Sequence, residues 1–289
     1  MSSRLIASLA DISDAYDAIL CDVWGVVHDG KAAFPAASDA LVAYRRRGGA
    51  VALITNAPRP CAPVETQLLR LGVSPDAFDS VVTSGDVTLS LIAARGDAPL
   101  HHIGPERDLS LFDEVEARTG RRPSRVGADE AAYIVCTGLE HDHTEVPASY
   151  ADRLARLAAR KLPFLCANPD IVIHRGSELV YCAGALARDY EALGGDVVYA
   201  GKPYAPIYQA ALASLARALG REPARVLAIG DGFRTDVNGA ARQGLDVLFV
   251  AGGIHRDETL VAGEPDPAGL AALFAREGYT PAATLTVLR

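Results

Sequence analysis

Short runs of apolar residues alternate along the chain with longer segments in which apolar positions recur every three or four residues. A short run fits a strand buried on both faces, and a periodic segment fits a helix with one face on a core. Ala18-Ile19-Leu20-Cys21 predicts a strand that ends at Asp22. Residues 51–54 predict a second, ending at Thr55-Asn56, and Val81-Val82 a third, ending at Thr83-Ser84-Gly85. Residues 38–47 and 63–70 predict helices between them. The first closes on Arg45, Arg46 and Arg47, which suit the negative end of a helix dipole, and Gly48-Gly49 stops it. The middle of the chain repeats the alternation, with strands at 101–103, 132–136 and 164–166 and helices at 109–118, 150–160 and 184–193. The first rhythm then resumes, with strands at 197–200, 226–229 and 247–250 and helices at 206–219 and 236–243. This order predicts an α/β fold: a Rossmann-like, doubly wound parallel-sheet core from residues 1–86 and 195–289, with an inserted α/β domain over 87–194.

Ligands of an open parallel sheet gather at the carboxyl ends of its strands. Asp22, Thr55 and Asn56, Lys202 and Asp231 all fall at or just past predicted strand ends. A polar residue there is the ordinary way for a strand to stop, so each alone says little. As a set they suit one reaction. Hydrolysis of a phosphate ester through a covalent intermediate needs a nucleophile and positive charge to admit it to a dianionic phosphate. A carboxylate pair can hold Mg²⁺, a lysine adds a compact cation, and hydroxyl and amide donors orient the remaining oxygens.

The order Asp22-Val23-Trp24-Gly25-Val26, Leu53-Ile54-Thr55-Asn56, Gly201-Lys202-Pro203 and Gly230-Asp231-Gly232-Phe233-Arg234-Thr235-Asp236 resembles the four motifs of the haloacid dehalogenase (HAD) superfamily. Asn168-Pro169-Asp170, followed by Cys182-Ala183-Gly184-Ala185-Leu186, is similar to its NagD-like, p-nitrophenyl-phosphatase-like branch (subclass IIA), whose α/β cap is of the C2 type. The resemblance implies Asp22 as nucleophile and Mg²⁺ bound by Asp22, Asp231 and the backbone carbonyl of Trp24. It implies Asp236 as holder of a metal-bound water or orienter of Lys202, with Thr55 on the phosphoryl group. The substrate implied is a small phosphorylated metabolite, and by analogy a homodimer could form through the cap. Asn56, Arg59 and Arg234 are the expected substrate contacts.

One position departs from the pattern. Family phosphatases carry an aspartate two residues after the nucleophile, which protonates the leaving group. Trp24 stands there, and an indole has no useful acidity. Losing that help costs on the order of 3–5 kcal/mol of barrier. His28 or Asp29, in the loop just beyond, is a candidate substitute, although a solvated loop histidine is the plainer reading. The alternatives are a phospholigand-binding sensor without turnover and, more weakly, a dehalogenase-type hydrolase, since dehalogenases carry an aromatic residue at this position.

Composition narrows the partners. The net charge of −8 argues against a nucleic-acid backbone or an anionic membrane surface. Five scattered cysteines with no C-x-x-C pair fit a reducing, cytoplasmic setting, and neither a secretory signal nor a run of about 18 apolar residues is visible. His101-His102 and His141-Asp142-His143 make an incomplete metal set, read as strand and surface loop. Glu140 and Arg175 are further candidates for the cap face, and Gly252-Gly253 reads as a turn.

Overall fold

A computed structural model describes residues 3–175 and 178–289. The chain opens with strands β1 (Arg4–Leu5), β2 (Ala18–Asp22), β3 (Ala50–Thr55) and β4 (Ser80–Thr83). There follow β5 (Leu100–Ile103), β6 (Tyr133–Cys136), β7 (Phe164–Cys166), β8 (Val172–Arg175), β9 (Glu178–Tyr181) and β10 (Val197–Tyr199). The last stretch adds β11 (Val226–Gly230), β12 (Asp246–Val250), a short ribbon of β13 (Leu260–Val261) and β14 (Glu264–Pro265), and β15 (Ala283–Leu285).

The main sheet has seven strands in the order β1-β15-β12-β11-β2-β3-β4, all parallel. From β2 the chain steps outward through β3 and β4, then returns on the other side of β2 as β11 and steps outward again. The order reverses between β2 and β11, and the crevice beyond their carboxyl ends is where such a sheet receives its ligand.

Alternate residues of each strand serve two apolar layers. Ile19 and Cys21 of β2 pack with Leu41 and Tyr44 of the helix Pro35–Arg46 and with Val64 and Leu68 of the helix Cys61–Leu71. Ala18 and Leu20 face the opposite way, onto Ile207, Ala211 and Leu215 of the helix Ala205–Leu219. Fully burying each leucine or isoleucine is worth about 1.5–3 kcal/mol, so both strand faces are held. The first helix starts at Pro35, three residues before the periodicity alone indicates, because proline's fixed φ suits the opening turn.

The inserted unit has a four-stranded sheet in the order β10-β7-β6-β5. This corrects the boundary expected at residue 194: β10 pairs in parallel with β7, so the cap sheet runs through Tyr199 and does not belong to the core. A short apolar strand looks the same in either sheet, and only its pairing partner separates the two. The helix Ser84–Ala93 leads into the cap, and its Leu89 and Ile92 pack with Leu111 and Phe112. The edge strand β1, its neighbour β15 and the antiparallel pair β8 and β9 are each only two to four residues long, too short to stand out by pattern. Among the described residues no helix is long and apolar enough to cross a membrane.

Candidate active site

Asp22 closes β2 and Asp231 follows β11, so two carboxylates sit at neighbouring strand ends. Lys202 arrives from the far side, out of the loop after β10. Its ammonium donates to Asp22 Oδ1 at 2.5 Å and to Asp236 Oδ1 at 2.6 Å. All four side chains are buried, between 3% and 6% exposed. The residues at 22, 202, 231 and 236 therefore converge.

Asn56 sets where Lys202 stands. Its Oδ1 accepts from the Lys202 N–H at 2.7 Å, while its Nδ2 donates to the Lys202 carbonyl at 3.2 Å and to Asp170 Oδ1 at 2.9 Å. The preceding residue has to be glycine, since a Cβ on Gly201 would lie 2.3 Å from Asn56 Oδ1. The structure thus commits the Asn56 amide to protein partners, and the expected substrate contact gives way to a positioning one. Thr55 lines the same cavity, and its Oγ1 accepts from the Ala57 N–H at 3.2 Å, which leaves the hydroxyl proton for a phosphoryl oxygen.

Asp236 lies in a π turn, Phe233–Val237, in place of the regular helix expected from residue 236. Phe233 and Val237 enter the core, Asp236 points at Lys202, and its second oxygen accepts from the Gly232 N–H at 3.0 Å. Five residues in this wide turn carry Arg234 outward, where it is exposed and lines a separate cleft with Arg188 and Tyr204. Arg234 lines neither the phosphate cavity nor the cap-side cleft, so the structure does not bring the expected substrate contact to them. Arg59 lines the cap-side cleft rather than the phosphate cavity, a place compatible with the expected contact to a second group of the substrate, and donates to Gln67 Oε1 at 2.5 Å.

Asp231 is held by features that read as a plain turn in the sequence. The Ile254 N–H donates to its Oδ2 at 2.8 Å. A Cβ on Gly253 would come within 2.0 Å of that oxygen, and one on Gly25 within 2.2 Å. Gly25 also sits at φ +83°, a left-handed conformation that favours glycine. Glycine at 253 therefore serves the carboxylate directly.

Ligand oxygens of Asp22, Asp231 and Asp236 all lie within 4.8 Å of one another. Three carboxylates and the one ammonium of Lys202 leave two negative charges in a buried space. The carboxyls of Asp22 and Asp231 respond accordingly: burial and then the neighbouring Asp236 push Asp22 well above the usual range and Asp231 up to about 7. Burial alone would lower the Lys202 pKa, but Asp22 and Asp236 together outweigh it and raise it. An oxygen-lined site short of two positive charges fits a hard divalent cation.

Trp24 lines the same cavity. Its indole meets the His28 ring edge-on, with centroids 4.9 Å apart, and lies against Gly30, where a Cβ would come within 2.6 Å of the ring. His28 is neither solvated nor a substitute acid. It is buried, its Nδ1 accepts from the Gly30 N–H at 2.8 Å, and burial lowers its pKa to about 4. Asp29 does line the cavity, but backbone N–H groups of Ala32 and Lys31 hold it below its ordinary pKa, which makes it a poor proton donor.

In the cap, His101 and His102 are partly buried and bonded to Val126 O and Thr137 Oγ1 rather than arranged around a metal. His143 and Asp142 line the cap-side cleft, and Asp142 pairs with Arg107. Glu140 accepts from Arg153 at 2.7 Å; the side chain of Arg175 lies outside the described residues. Asp170 and Arg256 line the phosphate cavity without having been singled out as site residues. For Asp170 the signal was present in Asn168-Pro169-Asp170, a loop signature whose carboxyl the fold turns toward the core.

A family model described as haloacid dehalogenase-like hydrolase matches residues 19–118, and a HAD-hydrolase-like model matches residues 199–275. A solved hydrolase of the haloacid dehalogenase-like family from Brucella suis 1330 superposes with a TM-score of 0.86 at 47% identity, over 99% of this chain and 100% of that one. A glycerol phosphate phosphatase from Mycobacterium tuberculosis, solved in complex with calcium, has a TM-score of 0.64 at 28% identity, over 84% of this chain and 68% of its own. The 5'-nucleotidase YutF of Bacillus subtilis is 26% identical over 246 residues, 84% of this chain and 90% of its own.

Proposed function

This chain belongs to the haloacid dehalogenase-like hydrolases, and from that membership we propose that it hydrolyses a small phosphomonoester through a covalent phosphoryl intermediate on Asp22. The observation that carries this reading is the buried set itself, in which Lys202 bridges Asp22 and Asp236 while Asp231 stands at the adjacent strand end. Asp22 and Asp231, with the Trp24 carbonyl as a further donor, would hold Mg²⁺, and Asp236 would keep Lys202 in place. A bound Mg²⁺ supplies charge neutralisation for the phosphoryl oxygens.

The chain's own residues do the rest. Lys202 screens the approach of the Asp22 carboxylate to the phosphate dianion, and the Thr55 hydroxyl orients a phosphoryl oxygen. The organic part of the substrate extends into the cap-side cleft, whose volume is about 410 Å³. The names of the relatives put nucleoside 5'-monophosphates and glycerol phosphate first in a substrate panel. Three clustered carboxylates support a cation-assisted phosphatase over a dehalogenase, which has no use for a metal.

The test is a phosphatase screen over a metabolite panel with and without Mg²⁺, on wild type and on Asp22→Asn. Metal-dependent turnover is expected, and the variant should lose about 10⁴-fold or more. Turnover that survives Asp22→Asn, or that ignores chelation, overturns the proposal. Trp24 in place of the usual acid supports a second reading, a phospholigand sensor. Its mark is a ligand-induced rise in Tm with hydrolysis at background.

A further inference from the structure

The phosphate cavity, about 140 Å³, adjoins the cap-side cleft of about 410 Å³. Trp24, Thr55, Asn56, Asp170 and Ile173 line both. A phosphomonoester with its phosphoryl group at Asp22 and its organic part in the cleft has its bridging ester oxygen at that junction. Of the five side chains there, an indole, a hydroxyl, an amide and an alkyl chain have no acidity useful near neutral pH. Asp170 has a carboxyl group. We propose that Asp170, reaching down from the cap, is the general acid–base of this site and takes over the role vacated at Trp24; this rests on the phosphatase reading above.

The geometry suits that role. Asn56 Nδ2 holds Asp170 Oδ1 at 2.9 Å, and among the described residues no hydrogen bond is recorded for Oδ2. The backbone is fixed as well: the Asp170 N–H donates to Asn168 Oδ1 at 3.1 Å, and its carbonyl accepts from the Gly184 N–H at 3.1 Å. Burial raises the Asp170 pKa above its ordinary value, against the pull of Lys202 and Asn56 and with a smaller push from Asp236. A carboxyl group moved toward neutrality is what proton delivery needs. The rival acids stand elsewhere. Asp108 and Asp142 line only the cleft, and Asp29 lines only the phosphate cavity.

The step balances. The Asp22 carboxylate attacks phosphorus, the bond to the ester oxygen breaks, and that oxygen takes its electron pair and the Asp170 proton to leave as an alcohol. Water then attacks the phosphorus and gives a proton to the Asp170 carboxylate. The bond to Asp22 breaks, and the pair returns to Asp22. The sum is phosphomonoester plus water giving alcohol plus phosphate, with both aspartates restored.

Phenyl and p-nitrophenyl phosphate share one ring shape, but the second leaving group needs little protonation, and kcat/KM reports the step that expels it. Wild type with Mg²⁺ should cleave the two within about tenfold of each other. In Asp170→Asn, whose amide oxygen can still accept from Asn56, the p-nitrophenyl-to-phenyl ratio should rise by about 10²-fold or more. Adding Trp24→Asp to that variant should bring the ratio back down. Equal losses on both substrates, or none, overturn the assignment of Asp170 while leaving the Asp22 chemistry standing. A wild-type ratio already near 10²–10⁴ overturns it without any variant, should Asp170→Asn fail to fold. Wild type that cleaves neither ester removes the phosphatase reading, and this assignment falls with it.

Discussion

At the scale of single residues, the site stores an electrostatic imbalance. Asp231 shows it most plainly, because its carboxyl titrates near 7 where an aspartate ordinarily titrates near 3.8. The metal-free folded protein then keeps a proton that the unfolded chain releases. Between about pH 4 and 7 the folded state binds more protons, so this contribution to stability is present at low pH and lost as pH rises through about 7. A cation bound by Asp231, as proposed, would expel that proton, so the affinity for Mg²⁺ would increase across the same window. The expected outcome is a Mg²⁺-induced rise in Tm that is larger at pH 8 than at pH 5.5, and equal rises would remove Asp231 from the metal set. His28 has the opposite sign. Its pKa of about 4 keeps it neutral when folded, so its contribution is present above the usual histidine range and lost as pH falls toward 4.

Among the elements, the π turn Phe233–Val237 does most to shape the site. A regular helical turn spaces neighbours by about 100°, whereas a five-residue turn lets Phe233 and Val237 anchor in the core while Asp236 reaches Lys202. Phe233 is fully buried against Phe249 and Phe274. Phe233→Ala should therefore cost about 3–5 kcal/mol in denaturant unfolding. Metal-dependent activity should fall with it as Asp236 loosens. A loss under about 1 kcal/mol would mean the turn is not anchored there. The motif Gly230 through Asp236 was legible in the sequence as a unit, but its winding was not, because residue types in a single turn do not announce the fifth residue. That is why Arg234, two residues before Asp236 in the chain, faces away in space.

Across the whole molecule, the site depends on both domains. Lys202 follows a strand of the cap sheet, Asp170 belongs to a cap loop, and Asn56 at the end of a core strand binds both. Asn56→Ala should destabilise the protein by about 1–3 kcal/mol, since it strands buried partners on two segments. It should also speed hydrogen exchange around residues 168–171 and 201–203. Unchanged exchange at those two loops would show that the core–cap junction is held elsewhere. The net charge of −8 is no obstacle to an anionic substrate, because a cation in the buried site changes the local field more than distant surface carboxylates do.

Much of this was present in the linear pattern. Apolar runs with polar ends pointed to the parallel sheet and to the gathering of Asp22, Thr55 and Asp231 at its carboxyl edge, because burial on both faces and termination at a ligand crevice are properties of local composition and order; Lys202 was marked by its residue type and motif, while its approach from a cap strand was not. Tertiary structure alone decided the rest. It placed β10 in the cap sheet, turned Arg234 out, buried His28, tied Asn56 to the Lys202 backbone and the Asp170 carboxylate, and brought Asp170 to the junction of two cavities. These depend on which segments pair across long stretches of chain and on how much water each side chain loses, and neither quantity exists until the chain has folded.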